Sequence, residues 1–432
     1  VTALTKGGPL KIAVAGLGTV GGGVIKALTE QGDGLAARAG RPFEVVGVSA
    51  RDAGKARGFK IENFTANPLD LVRSDADVVV ELIGGEDGIA KKLVEAALAH
   101  GKHVVTANKA LLAKHGAALA AMAEKKNLQL KFEAAVAGGI PIVNTLRESL
   151  VAYEVQAVKG ILNGTCNYIL TEMEATGAGF AAVLKQAQKL GYAEADPTLD
   201  VGGGDTAHKL ALLSSLAFGV TPDLSAMTVE GIEHITPADI HFASEFGFRV
   251  KLLGVARRTR SGIEQKVHPA MVRARSPLAN VDGAANGVLV DAGEAGPFFF
   301  SGRGAGEAPT ASAVVADLVE IARGTFTPVF GRPADTLKSF QAASANAAPT
   351  PWYLRFEVQD VPGVLAEIAG HLSHSGVSIE SMIQRGRHET APVAIVMITH
   401  DTHQAAVERA LKAIAGSDKI RARPCMIPME AA

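Results

Sequence analysis

The chain is poor in cysteine: among its 432 residues only Cys166 and Cys425 occur, far apart and without metal-ligand spacing. That scarcity excludes a disulfide framework and fits a reducing cytoplasm. An excess of either charge is also missing, because 43 Lys and Arg stand against 44 Asp and Glu. The balance argues against nucleic acid as a partner, since phosphate binding needs a concentrated basic surface. No stretch approaches the roughly 20 apolar residues that span a bilayer, so no membrane partner is expected. The opening VTALTKGGPL has no apolar core of the signal-peptide kind. What remains is an ordinary composition, 47% hydrophobic and 20% charged. It is long enough for two or three domains of a cytoplasmic protein.

Residues 10–16, LKIAVAG, form a short apolar run ending in glycine, and LGTVGGGVIKALTE follows with helical spacing. Further strands are predicted at 43–49, 77–84, 103–108 and 128–133, with helical patterns between most of them. Such alternation predicts an α/β fold with a doubly wound parallel sheet over residues 9–135. From 136 to 308 the alternation is lost, and an α+β substrate domain is expected. PTASAVVADLVEIAR (309–323) reads as an amphipathic helix that packs back on the first domain. RPADTLKSFQAASANAAPTP (332–351) is rich in Ala, Ser and Pro and reads as a linker. Residues 352–428 then run strand–helix–strand–strand–helix–strand, the βαββαβ order of a ferredoxin-like sandwich.

Gly16, Gly18 and Gly21 form GxGxxG after a strand and at the start of a helix, the context in which the motif holds a pyrophosphate. Helix N–H groups at Leu17, Thr19 and Val20 extend the expected cradle. The second strand ends SARD, which offers Arg51 and Asp52, with Lys55 and Arg57 nearby. An acid there suits NAD and an arginine NADP; Arg51 favours NADP, and both cofactors stay open. In VVTANKALLAKHG, Lys109 sits where a strand gives way to a helix. A cation at a helix N-terminus opposes the macrodipole, so a bound anion is expected to compensate it.

GYAEADPTLDVGGGDTAHKLALL (191–213) concentrates four carboxylates and a lysine around three glycines. On a helix beginning near Asp205, positions 205, 209, 212, 213 and 216 share a stripe. Leu212, Leu213 and Leu216 make it apolar, so Asp205 and Lys209 head a buried face. A buried lysine beside a carboxylate is a usable acid or base. Opposite a nicotinamide site, this pattern suggests hydride transfer to or from an alcohol carbon, with lysine moving the hydroxyl proton. Cys166, in NGTCNY, offers a competing thioester route. That route needs a partner histidine, and none can be placed near it. A third reading is a nucleotide-bound amino-acid sensor without catalysis.

At these residues the chain resembles the homoserine dehydrogenase family. The resemblance rests on GLGTVGGGV, TANKALLA, FEAAVAGGIPIV, GILNGTCNYIL, GYAEADPTLDVGGGDTAHK and GRGAGEAPTASAVVAD, spread over residues 10–325. It implies reversible oxidation of L-homoserine to L-aspartate 4-semialdehyde, on the route to threonine, isoleucine and methionine, by a homodimer or homotetramer. It implies Lys209 as proton donor and acceptor, Asp205 at the reacting hydroxyl, and Lys109 between cofactor and substrate. Glu194 would bind the substrate amine with Asp200 near it, and Gly306 would contact the cofactor. A monovalent cation, sodium, would lie in the turn of Glu133, Val136, Gly138 and Ile140, held largely by carbonyl oxygens, which hard cations prefer. A start at the first strand carries the expectation that no aspartokinase domain precedes it. FEVQDVPGVLAEIAGHLSHSGVSIESM resembles the ACT domain, a regulatory module that binds amino acids. Asp360, Pro362 and Gly363 would open its ligand-binding helix, and Gly376 to Ile379 would complete a pocket across a pair interface. L-Threonine, as pathway end product, is the expected ligand.

Overall fold

A computed structural model describes residues 8–52, 63–343, 349–385 and 391–430. The first domain is a six-stranded, wholly parallel sheet. Its strands are β1 (Leu10–Ala15), β2 (Phe43–Ser49), β3 (Phe64–Thr65), β4 (Val78–Glu81), β5 (His103–Thr106) and β6 (Leu130–Lys131), in the order β3-β2-β1-β4-β5-β6. All six strands therefore end on one edge, and the chain order reverses beside β1, where a doubly wound sheet binds its ligand. Val24 and Ile25 of the helix Thr19–Glu30 pack with Val314, Leu318 and Ile321 of the helix Glu307–Arg323. A segment nearly 300 residues downstream thus covers this sheet. Gly23 makes the crossing close, since a Cβ there would lie 2.8 Å from the Glu307 side chain.

The middle region contributes β7 (Ala157–Ile161), β8 (Thr228–Val229), β9 (Phe248–Thr259), β10 (Gly262–Arg273), β11 (Ala285–Asp291) and β12 (Pro297–Arg303). The helix Gly204–Phe218 packs on this sheet and is more enclosed than an amphipathic stripe requires. Thr206, Ser214 and Ser215 are buried along with Leu210, Leu212 and Leu213.

The C-terminal unit carries β13 (Trp352–Val358), β14 (Ile379–Gln384), β15 (Val393–Thr399) and β16 (Cys425–Glu430), with helices Val364–His374 and Gln404–Ile414. Its sheet continues that of the middle region, because β16 pairs in parallel with β10 at Met271↔Met429 and Val272↔Glu430. The final strand runs beyond residue 428, where the pattern ended this unit, since Met429 and Glu430 are recruited by this seam. Ion pairs reinforce it. Asp239, fully buried, takes the Arg355 Nε at 2.6 Å and the Tyr353 hydroxyl at 3.1 Å. Burial opposes the charge on Asp239, but Arg355 prevails and lowers its pKa. Glu430 pairs with Arg257 at 2.8 Å and Lys159 at 3.2 Å. Residues 332–343, expected as the start of a linker, are fastened to the middle region. Lys338 bridges Val220, Ala342 bridges Ile263, and Leu337 and Phe340 pack on the core.

Candidate active site

At the end of β1, Gly16 takes φ +101°, and a Cβ on it would meet the Leu82 carbonyl oxygen at 2.5 Å. Gly21 lies closer still, its hypothetical Cβ 2.0 Å from the Gly16 carbonyl oxygen. The turn is thus pressed between the first helix and the loop after β4. Gly18 caps that helix without a side-chain bond, which leaves first-turn N–H groups for an anion. Leu17 is buried and Val20 half-buried, while Gly18 and Thr19 are exposed. Glu81, unremarked in the sequence, holds the facing loop: its carboxylate accepts from Ile83 N, Gly84 N and the Thr106 hydroxyl at 2.8, 2.9 and 2.6 Å. Arg51 and Asp52 are exposed just beyond β2. Lys55 and Arg57 lie outside the described residues. Gly306, at φ +117°, caps the helix Glu307–Arg323 and is exposed.

The helix Gly204–Phe218 brings Asp205 to the same edge. Its Oδ2 accepts from Lys209 Nζ at 2.7 Å, and its Oδ1 lies 3.1 Å from Lys109 Nζ. The anion that compensates Lys109 at its helix start is therefore a side chain of this protein, where a bound ligand was expected. Lys209 Nζ also donates to the Leu162 carbonyl at 2.7 Å. Burial disfavours charge on Asp205, but Lys209, Lys109 and the bonds from Lys209 and Asn163 outweigh it and hold its carboxyl well below the usual range. For Asp200 the balance reverses: burial, with the nearby charge of Asp205, pushes its pKa up against bonds from Asn163 and Thr165.

Two further residues belong to this cluster and were not singled out in the sequence. Asn163 Nδ2 donates to Asp200 Oδ1 at 2.8 Å and Asp205 Oδ2 at 2.9 Å. Its signal was the NGT turn after a strand, an N-cap pattern with nothing to say which carboxylates it faces. His208 sits on the turn between Asp205 and Lys209; burial first, then the charge of Lys109, lowers its pKa. Glu194 is exposed, and its carboxylate makes no ion pair among the described residues. Its segment is nevertheless pinned beside the cluster, because Thr165 Oγ1 donates to the Tyr192 carbonyl at 2.7 Å and the rings of Tyr168 and Tyr192 lie 4.7 Å apart. Cys166 is fully buried, with its Sγ donating to the Asp200 carbonyl at 3.1 Å. Burial raises its thiol well above the ordinary value, so it supplies no thiolate nucleophile.

The turn carrying Glu133, Val136, Gly138 and Ile140 is buried at all four positions. The Glu133 carboxylate accepts from Val143 N and Asn144 N at 2.9 and 2.8 Å, so it supports the loop. Burial pushes its pKa up to about 7. Positive φ at Ala137 and Gly138 turns the backbone sharply. Among the described residues no hydrogen bond ends on the Val136 or Gly138 carbonyls, which leaves these oxygens for a hard cation and fits a carbonyl-held ion. In the C-terminal unit, Gly363 takes φ +90° and caps the helix Val364–His374 without a side-chain bond. Asp360 is half-buried and Pro362 exposed before that cap, while Gly376 is exposed and Ile379 half-buried after the helix.

The chain is similar in sequence and fold to known proteins. Residues 16–133 match the family described as homoserine dehydrogenase, NAD binding domain; residues 141–319 match homoserine dehydrogenase; residues 352–416 match the ACT domain. A homoserine dehydrogenase of Neisseria gonorrhoeae is 44% identical over 98% of this chain and 99% of its own length. One from Pseudomonas aeruginosa is 43% identical, over 94% and 95%. The crystal structure of a homoserine dehydrogenase from Thiobacillus denitrificans superposes with a TM-score of 0.92 at 44% identity, over 98% of this chain and 99% of that one.

Proposed function

The chain belongs to the homoserine dehydrogenase family, and from that premise we propose how its residues divide the reaction between them. It is an NAD(P)-dependent oxidoreductase acting on a CH–OH group, and it interconverts L-homoserine and L-aspartate 4-semialdehyde. The observation that carries the assignment of roles is the cluster of Lys109 and Lys209 on the buried Asp205, at the edge where all strands of the parallel sheet end. Two directions around Lys209 Nζ are occupied, by the Leu162 carbonyl and by Asp205. A neutral amine so held keeps its lone pair for the substrate hydroxyl, and the ammonium returns a third N–H to the aldehyde oxygen. Asp205 orients Lys209 and balances both lysines, while Lys109 supports the oxygen at which charge develops. Glu194, with Asp200, holds the substrate ammonium. The nicotinamide, when bound, takes or returns the hydride.

Gly16 to Gly21 and Gly306 hold the dinucleotide, with Arg51 supporting a preference for NADP over NAD. Glu133, Val136, Gly138 and Ile140 hold a monovalent cation, sodium, whose charge stiffens the turn under the junction of the two domains. The working form is a homodimer or homotetramer in the cytoplasm, and among the described residues no helix is long and apolar enough to cross a membrane. L-Threonine binds at the start of the helix Val364–His374, near Asp360 and Gly363, and feeds back on turnover. Initial rates with L-homoserine and either NAD or NADP, with and without sodium or potassium, test the assignment together with Lys209→Ala. Loss of turnover in Lys209→Ala with NADPH binding intact is expected; full turnover in that variant would overturn the proton-transfer role. Threonine titration of the full chain and of Asp360→Ala tests the regulatory site, and an insensitive wild-type chain would sink it.

A further inference from the structure

Residues 162 and 163 touch both halves of the ion pair that the mechanism uses. The Leu162 carbonyl accepts from Lys209 Nζ, while the Asn163 amide grips Asp205. Asn163 follows β7, is 5% exposed, and caps the helix Gly164–Thr176 by accepting from Cys166 N at 2.8 Å. Its amide nitrogen has two hydrogens, and each goes to a different carboxylate: Asp200 at 2.8 Å and Asp205 at 2.9 Å. The two acceptor oxygens are therefore less than about 6 Å apart. Two carboxylates that close repel each other. An amide is the side chain that bridges them without adding charge, whereas a lysine there would compete with Lys209 for Asp205. The bridge is also anchored. A Cβ on the neighbouring Gly164 would lie 2.7 Å from the Ala284 carbonyl oxygen, and Asn286 Nδ2 holds the Leu162 carbonyl from the other side at 3.1 Å.

We infer that Asn163 is a positioning residue for hydride transfer: it fixes the Asp205 carboxylate so that Lys209 presents its free direction to the substrate hydroxyl, and it keeps Asp200 apart from that pair. The inference rests on the proton-transfer role proposed for Lys209. An alternative role is local, the capping of the helix Gly164–Thr176, and serine separates the two. Serine is as good a cap acceptor as asparagine but is too short to bridge both carboxylates.

The test measures Asn163→Ser and Asn163→Asp in the full-length protein, with turnover normalised to sites that bind NADPH so that misfolded protein does not count. In Asn163→Ser, melting temperature and NADPH affinity are expected to stay near wild type. Its kcat with L-homoserine is expected to fall about 100-fold, the scale of an ångström misplacement. The solvent isotope effect on kcat should rise, because the misaligned proton transfer becomes rate-limiting. The acid limb of the kcat/KM profile should move to higher pH, because ionised carboxylates have lost their donor. Asn163→Asp keeps the cap and the volume but adds a third carboxyl, and should confine the remaining activity to lower pH. Turnover per NADPH site within threefold of wild type with an unmoved pH profile would overturn the inference, and so would failure of both variants to yield any NADPH-binding protein. Lys209→Ala is measured alongside. If it is inactive while Asn163→Ser is unimpaired, only the role of Asn163 falls; if it turns over normally, the reading beneath it falls.

Discussion

Replacing Asp205 with asparagine removes one charge at nearly constant shape and leaves two ammonium groups on a single neutral side chain. Lys209 stands 2.7 Å and Lys109 3.1 Å from the carboxylate. At an effective dielectric near 20, each attraction is worth roughly 5–6 kcal/mol before desolvation is counted. The net loss is smaller, because Lys109 keeps a third of its side-chain exposure and rehydrates. Breaking a buried pair by removing one partner costs about 3–5 kcal/mol, which lowers the melting temperature by roughly 6–20 °C where the cooperative unit is about 150–250 residues, the scale of the middle region. Turnover should fall by as much as about 100- to 10,000-fold, the usual contribution of a positioned acid–base group, because Lys209 loses the side chain that orients it. The pH dependence has a fixed sign. The Asp205 carboxyl is held below its ordinary value of 3.8, so its contribution is fully present above about pH 4 and is lost on further acidification. Differential scanning calorimetry of wild type and Asp205→Asn should show a constant gap from pH 7 to 5 that narrows towards pH 3. A variant that melts within 2 °C of wild type, or a gap that widens in acid, would refute the assignment of Asp205 as the buried counter-charge.

Gly18→Ala and Gly21→Ala should separate binding from folding. No atom lies within 4 Å of a Cβ at Gly18, whereas one at Gly21 strikes the Gly16 carbonyl. NADPH titration with thermal melts should show the first weakening the cofactor about tenfold at unchanged stability, and the second losing both. Arg355→Met leaves the Asp239 carboxylate fully buried without its cation and should cost about 3–5 kcal/mol. Trp352, the only tryptophan and itself buried on β13, reports that loss by fluorescence in guanidinium unfolding. The expected difference persists above about pH 4 and fades below it, because the native Asp239 pKa is depressed. Cys166→Ser should keep kcat/KM within about threefold of wild type, because a hydroxyl can donate to the Asp200 carbonyl as the thiol does. A dead enzyme would reinstate a nucleophilic cysteine.

The sequence made the local features legible. GxGxxG after an apolar run, and a lysine four residues after an aspartate on a helix with leucines below it, both follow from chain periodicity. Features that depend on distant segments were hidden. The partner of Lys109 is Asp205, far along the chain and in another domain, so the charge at its helix start looked like a vacancy for a ligand. Asn163 and Asp205 are separated by 42 positions, and Arg355 and Asp239 by 116. No spacing rule reaches that far. The segment 332–343 looked like a tether because its apolar residues are few and aperiodic, yet Leu337 and Phe340 suffice to seat it. The placement of β16 was blurred at its end for a similar reason: Met429 and Glu430 extend because β10 offers them hydrogen bonds, a preference that is not local.

The shared sheet between the middle region and the C-terminal unit bears on how such a unit could be exchanged. A domain hung on a peptide can be swapped like a cassette, with breakpoints chosen in the tether. Here a crossover near residue 350 would cut through one sheet. It would leave Asp239 and Lys159 facing whatever the newcomer brought in place of Arg355 and Glu430. Lys159 lies three residues before Leu162, whose carbonyl holds Lys209, so a mismatched graft would disturb the Lys209 cluster as well as the seam. A chimera that works must inherit both sides of the seam together, from the helix Pro237–Glu245 through β16.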